Sequence, residues 1–104
     1  MASPTARLNE AFAHLRDKRF AEARDVLERL VRDELADAVV YETLGDVCDK
    51  LGDVDGAVEA WRVGASMWLA RQQVKRARGL LELLLILRPD DAEANEVLAT
   101  LPPS

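Results

Sequence analysis

Apolar residues recur every three or four positions along most of the chain, as they do on a helix with one buried face. Residues with strong preferences for helix ends divide this pattern into segments. Ser3 followed by Pro4 favours a helix start, and Gly52 favours a helix end. The pattern therefore predicts six helices, over about residues 4–17, 20–32, 38–51, 54–69, 74–87 and 91–101.

Acidic residues are the predicted N-caps of three later helices. Asp37 can cap the third helix and Asp53 or Asp55 the fourth, because a carboxylate accepts hydrogen bonds from the first-turn N–H groups. Asp90 can cap the sixth, with Glu93 three residues later as its capping-box partner. Short connections force successive helices to be antiparallel neighbours. We therefore expect an all-α fold built as a row of helix hairpins.

The second and fourth predicted helices repeat one another. Ala23 aligns with Ala57 and Leu27 with Trp61, at the same offset in both pairs. Residues 41–61 read Tyr41-x2-Leu44-Gly45-x2-Cys48, then Gly52, then Ala57-x3-Trp61. In its small, large and turn positions, and in its length of about 34 residues, this unit resembles the tetratricopeptide repeat. The resemblance implies antiparallel hairpins stacked as a short right-handed solenoid.

The repeat divides the chain into three units, over about residues 4–37, 38–70 and 71–101, within a single domain spanning residues 1–104. Gly45 and Ala57 are small where the two helices of one hairpin should touch. Helix axes approach to about 8–10 Å only if the contact residues allow it. We therefore expect Gly45 to be a contact position rather than a defect in its helix.

The third unit fits two frames. Ala77 and Leu81 look like the closing half of a repeat, although Ala77 follows Ala57 at much less than a full repeat length. Alternatively, Gly79 lies one full repeat length after Gly45, which would make the fifth helix an opening helix. Both frames are compatible with six helices.

Composition narrows the class of protein. A chain of 104 residues with 49% hydrophobic residues can form one compact core. Its net charge of -5 gives no bulk attraction for nucleic acid or an anionic membrane, so we expect neither as a partner. A single cysteine excludes an internal disulfide and fits a reducing compartment. No signal peptide or membrane-spanning run is visible, so we expect a cytoplasmic protein.

The resemblance also implies a peptide-binding groove lined by the first helix of each hairpin. On the third helix, Glu42, Asp46 and Asp49 share the face opposite the apolar stripe, which predicts an acidic surface for a basic segment. The same residues could equally be an ordinary solvated face, and the apolar residues of the first helix could be core. The predicted groove residues are Leu8, Phe12, Leu15, Arg16, Glu42, Asp46, Asp49 and Lys50.

A second predicted interface lies around the fifth helix. Four cations fall within residues 71–78, and residues 80–87 are apolar nearly all round. A helix of this kind is either buried on several sides or part of an interface with a partner or another copy of the chain. The predicted interface residues are Trp68, Arg71, Lys75, Arg76, Arg78, Leu80 and Leu83.

Catalysis is not expected. His14 and Cys48 are the obvious pair to test, but the repeat places them at equivalent positions of neighbouring units, on the order of 10 Å apart. No metal-ligand spacing or phosphate-binding glycine loop is present, so we expect no cofactor and no metal. The sequence predicts a non-catalytic adaptor that binds another protein, with a self-assembling structural protein as the alternative.

Overall fold

The computed structural model describes residues 2–103, and this part of the chain forms six α-helices. Each helix runs antiparallel to its neighbour along a row measuring 42 × 28 × 22 Å. The prediction of an all-α stack of hairpins is confirmed. The helices are α1 (Pro4–Arg16), α2 (Phe20–Arg32), α3 (Ala38–Lys50), α4 (Val54–Ala70), α5 (Val74–Leu87) and α6 (Ala92–Thr100).

Aspartate side chains cap the N-termini of α3, α4 and α6, and one of them is not the predicted residue. Asp37 accepts a hydrogen bond from the N–H of Val40 at 3.0 Å, and Asp53, not Asp55, accepts one from Gly56 at 2.9 Å. The prediction that Asp90 caps α6 is wrong, because Asp91 accepts the N–H of Ala94 at 2.9 Å.

This one-residue shift removes the predicted capping box. With Asp91 as the cap, Glu93 is the second residue of α6 instead of the third. Glu93 instead accepts a hydrogen bond from Arg62 on α4, over 3.3 Å. Arg62 also binds Asp91, so the start of α6 is held against α4.

Three hairpins use the same turn. Lys18, Gly52 and Gln72 each have a positive φ, of 57°, 78° and 60°. In each turn the following N–H donates to the carbonyl five residues back, at 2.8–2.9 Å, which is the long bond of a Schellman motif. After α1, α3 and α4 the next helix begins two residues beyond the positive-φ residue. The turn after α2, at Glu34 with a φ of 58°, makes the same bond but is followed by a longer link to α3.

The repeated turn decides between the two frames of the third unit. Gln72 follows Gly52 at the same shortened spacing at which Ala77 follows Ala57. α5 is therefore the closing helix of a hairpin whose first helix is α4. Because α4 is also the closing helix of the hairpin with α3, it serves two hairpins, and the repeat shortens at this point.

The core consists of two clusters that meet at Leu44 of α3, which packs against both. Burial of large apolar side chains, at roughly 1.5–3 kcal/mol each, is the main stabilising term. The N-terminal cluster contains Ala11, Ala23, Val26, Leu27, Leu30, Val40 and Val47. The C-terminal cluster contains Ala38, Cys48, Ala57, Val58, Trp61, Ala65, Trp68, Ala77, Leu80, Leu81, Leu84 and Ala94.

Glycines allow the closest helix contacts. A Cβ on Gly45 would lie 2.3 Å from Cδ1 of Trp61, which is too close for two carbon atoms that are not bonded to each other. A Cβ on Gly64 would lie 3.1 Å from Cδ1 of Leu80 and 3.4 Å from the backbone nitrogen of Glu42. The prediction that Gly45 is a helix contact is confirmed, and Gly64 has the same role between α3, α4 and α5.

Candidate functional site

A groove of about 530 Å³ lies between α2 and α4, with α3 as its floor. Arg24, Glu28 and Val31 come from α2, and the floor is formed by Tyr41, Leu44 and Cys48. The other wall consists of Asp53, Gly56, Glu59, Ala60 and Val63. A smaller hollow of about 300 Å³ shares Glu28, Val31 and Leu44, and extends the groove along α2.

The local sequence explains why a groove forms here. On α4, Gly56 and Ala60 are four residues apart and share one face, so the wall next to α3 carries little side-chain volume. Val31, Tyr41 and Leu44 are only half-buried, which leaves apolar surface open to solvent inside the groove. This surface is suited to apolar side chains from another molecule.

The rim of the groove is acidic. Its lining residues include three carboxylates, Glu28, Asp53 and Glu59, and one guanidinium, that of Arg24. Arg24 approaches Glu28 at 3.5 Å and Asp53 at 3.8 Å, so its charge is shared at one end of the groove. Glu59 is exposed on the opposite wall. The lining has a formal charge of -2, from one cation and three anions, which favours a basic ligand.

Cys48 is a buried part of the groove floor rather than a reactive thiol. Only 4% of its surface is accessible. Burial raises the pKa of the Cys48 thiol, the carboxylate of Asp53 raises it further, and Arg24 opposes this shift. A protonated thiol is a weak nucleophile. His14, its proposed partner, lies on α1 with Nε2 at 3.8 Å from a carboxylate oxygen of Glu10.

The α2–α4 groove is not the predicted one, because its walls come from the second helices of the first two hairpins. The predicted groove residues lie on the first helices, α1 and α3. Leu8 and Leu15 are half-buried against the N-terminal cluster, as the core interpretation expects, and Phe12 is also half-buried. Arg16, Asp49 and Lys50 are exposed. As the structure describes it, the lining of the α2–α4 groove includes none of the eight residues.

Two carboxylates of the predicted acidic surface bind tryptophans of the core. Nε1 of Trp61 donates a hydrogen bond to Asp46 at 3.0 Å, and Nε1 of Trp68 donates one to Glu42 at 2.9 Å. Burial raises the pKa of Asp46, the Trp61 hydrogen bond lowers it, and the carboxylates of Glu42 and Asp49 raise it. Glu42 and Asp46 therefore have a structural role that the helical pattern does not indicate.

The second predicted interface is only partly a surface. Trp68 and Leu80 are 3% and 4% exposed, so both belong to the core, which corrects their assignment to an interface. Arg71 and Arg76 lie over the Trp68 ring, at 5.0 and 4.5 Å from its centroid. Arg78 donates to the carbonyl of Pro102.

The rest of the second interface is exposed. Lys75 lies at the surface, and Leu83 is 39% exposed. Ile86, which is not among the predicted interface residues, is 73% exposed on the same helix. The apolar surface of α5 is therefore centred on Leu83 and Ile86, because α6 and α4 cover the other sides of this helix.

Sequence reasoning missed the residues that line the α2–α4 groove. The small residues of α4, Gly56 and Ala60, are the available signal, because small side chains at helical spacing can leave a hollow. The acidic Glu28 and Glu59 gave no signal, since single exposed glutamates are common on helices.

Comparisons with known families and curated proteins assign no class to this chain. No model of a known protein family matches this chain, and no curated protein sequence matches it. Within residues 2–103, no group of three or more His, Cys, Asp or Glu side chains is placed to hold a metal ion. No helix in the same range is long and apolar enough to cross a membrane.

Proposed function

We propose that this chain is a non-catalytic protein-interaction module, a tetratricopeptide-like adaptor that holds a basic amphipathic segment of another protein in the α2–α4 groove. The observation that carries the proposal is the combination of a half-buried apolar floor with a rim of carboxylates. Helical segments commonly bind other proteins by placing an apolar face in a groove of this kind.

The groove is large enough to hold a few anchoring side chains of a ligand, but not a whole helix. Its volume of about 530 Å³ lies within the usual range of ligand sites, about 300–1,000 Å³. Apolar anchors would contact Leu44 and Val63, and lysine or arginine side chains would meet Glu28 and Glu59. Apolar contacts would supply most of the affinity, whereas charge would set the orientation and speed of association.

The buried, protonated Cys48 supports a binding function over nucleophilic catalysis. A single cysteine also suits a cytoplasmic protein, which is the compartment that we propose. The surface of α3 near Asp46 and Glu42 is a weaker candidate site, because these carboxylates already accept hydrogen bonds from the two tryptophans.

Fluorescence anisotropy would test this function, with a labelled helix-forming peptide that has Leu on one face and Lys on the other. The double variant Glu28→Lys with Glu59→Lys reverses two rim charges without touching the core, and should weaken binding by about tenfold or more. Glu22→Lys with Asp49→Lys is the matched control, since it changes the net charge as much at two exposed positions outside the groove. Unchanged binding in the variant with Glu28→Lys and Glu59→Lys, or a larger loss in the control, would place the site elsewhere.

A further inference from the structure

The exposed face of α5 is itself a basic amphipathic surface. Arg76, Gly79, Leu83 and Ile86 follow one another at intervals of three or four residues, so they form one stripe along the helix. Lys75 lies beside this stripe. Ile86 is the most exposed of the large apolar residues of the described chain, at 73%. We name this surface the α5 face.

Charge on the α5 face is opposite to that of the groove. Residues 71–82 contain four cations and one carboxylate, the exposed Glu82, so this segment is basic in a chain whose net charge is -5. Arg71 and Arg76 keep their charges at the surface while stacking on Trp68. The chain thus combines an acidic groove with an apolar floor and a basic helix face with an apolar end.

Gly79 supplies an independent observation. A glycine inside a helix costs about 0.5–1 kcal/mol relative to alanine. Gly45 and Gly64 are explained by contacts that a Cβ would disturb, but a Cβ on Gly79 would meet nothing within 4 Å among the described residues. A glycine on an exposed helix face leaves room for a second backbone to approach closely.

We propose that the α5 face of one copy of this chain docks in the α2–α4 groove of a second copy. Leu83 and Ile86 cover the apolar floor, and Lys75 and Arg76 meet the carboxylates of the rim. This inference rests on the proposed function, because it assigns the basic amphipathic segment to the chain itself. Since the two surfaces differ, a single contact is head-to-tail, and it builds an open chain or a closed ring, the smallest ring being a two-fold dimer with two such contacts.

Analytical ultracentrifugation of two complementary variants would test the contact. The groove variant carries Glu28→Lys with Glu59→Lys, and the face variant carries Leu83→Ser with Ile86→Ser, which removes apolar surface without giving the face a charge that would attract the altered groove. The unmodified chain should gain mass as its concentration rises. Each variant alone should self-associate at least about tenfold more weakly than the unmodified chain. Each should therefore be monomeric at concentrations at which the unmodified chain assembles. An equimolar mixture should form a 1:1 dimer and stop there, because only one functional groove and one functional face remain.

A matched control separates this contact from general charge effects. Glu22→Lys with Glu96→Lys changes the net charge as much as the groove variant does, at two exposed positions outside the groove, and should assemble like the unmodified chain. A groove variant that still dimerises alone would overturn the proposal in favour of contact between two α5 faces.

Failure of this inference can be distinguished from failure of the proposed function. If the unmodified chain stays monomeric but binds the labelled basic peptide, the groove is a binding site and the second copy is not its ligand. If neither peptide binding nor assembly occurs, both proposals are wrong. If the peptide binds and also dissolves the assembly, both are supported, because the two ligands compete for one groove.

Discussion

The hairpins α1–α2 and α3–α4 place different side chains at equivalent positions, and the differences are coupled. Leu27 in the first hairpin is replaced by Trp61 in the second, and both are fully enclosed. The facing residue changes in the opposite direction, from Ala11 to Gly45. Because a Cβ on Gly45 would overlap the indole ring of Trp61, the larger side chain requires the smaller partner.

A polar difference accompanies this change in volume. The indole N–H of Trp61 needs a hydrogen-bond acceptor when it is enclosed, and Asp46 supplies one. The residue equivalent to Asp46 in the first hairpin is Phe12. No hydrogen-bond acceptor is needed there, because Leu27 has no side-chain N–H. The hairpin α4–α5 follows the first hairpin, with Leu81 facing the position of Ala65. The comparison teaches that Gly45 and Asp46 are both adaptations to Trp61.

The largest effect is expected from Gly45→Ala. The added methyl group forces the Trp61 ring to move and disturbs its bond to Asp46, which should destabilise the fold by about 1–3 kcal/mol. Trp61→Leu, which copies the first hairpin, should relieve this clash. In the double variant the loss should be smaller than the sum of the two single losses by about 1 kcal/mol or more. Urea unfolding followed by far-ultraviolet circular dichroism measures all three.

Ala11→Gly is the control for this coupling. It should cost about 1–2 kcal/mol, from helix propensity and the loss of a buried methyl group, and it should be additive with Trp61→Leu because the two sites are in different hairpins. Strict additivity between Gly45→Ala and Trp61→Leu would show that the two residues are not coupled.

Much of the fold could be predicted from local chemistry. Ser3, Asp37 and Gly52 are the caps and turn that the sequence indicates, because each acts within a few residues of its own position. Asp90 and Asp91 could not be separated in this way, since adjacent aspartates have the same capping chemistry. The choice of Asp91 is supported by Arg62, which is distant in sequence.

The candidate site was harder to predict because it depends on the relative positions of three helices. Helical periodicity places Asp46 opposite the apolar stripe of α3, but it does not reveal that Trp61 of α4 reaches this carboxylate. The groove itself exists because α2 and α4 are both next to α3. The shortened repeat was equally hard to predict, because the turn conformation of Gln72 and the packing of α4 against both α3 and α5 are visible only in the structure.

A smaller effect is expected from exchanging the turn residues of the two hairpins. Lys18 and Gly52 occupy the same turn with φ values of 57° and 78°. Glycine adopts this conformation without the cost that a Cβ imposes, so Lys18→Gly should stabilise the chain by roughly 0.5–1 kcal/mol. Gly52→Lys should destabilise it by a similar amount. Thermal unfolding monitored by circular dichroism compares the two variants.

Lys18→Asn serves as a control for the lost charge. Asparagine is also neutral but tolerates positive φ better than most residues, so it should give part of the gain seen with glycine. If Lys18→Gly destabilised the chain while Gly52→Lys had no effect, the two turns would not be equivalent in energy.

The smallest expected effect concerns the charge on Asp46. Burial raises its pKa above 3.8, so the folded chain binds this proton more tightly than the unfolded chain does. The associated stability is complete below the unfolded pKa and is lost as the pH rises through the folded value. Asp46→Asn removes the charge and keeps an oxygen that accepts from Trp61. This variant should gain up to about 0.5 kcal/mol at neutral pH, because the site is partly exposed, and the gain should fade in acid.

Asp91→Asn is the matched control, since its pH dependence has the opposite sign. The hydrogen bond from Arg62 and that from the Ala94 N–H lower the pKa of Asp91 to about 2. Its contribution is present above the usual value of 3.8 and is lost as the pH falls towards 2, so Asp91→Asn should destabilise the chain at neutral pH. Urea unfolding at neutral and acidic pH measures both variants. If Asp46→Asn lost stability at neutral pH, the hydrogen bond from Trp61 would depend on a charged acceptor, and Asp46 would stabilise the second hairpin as an ion.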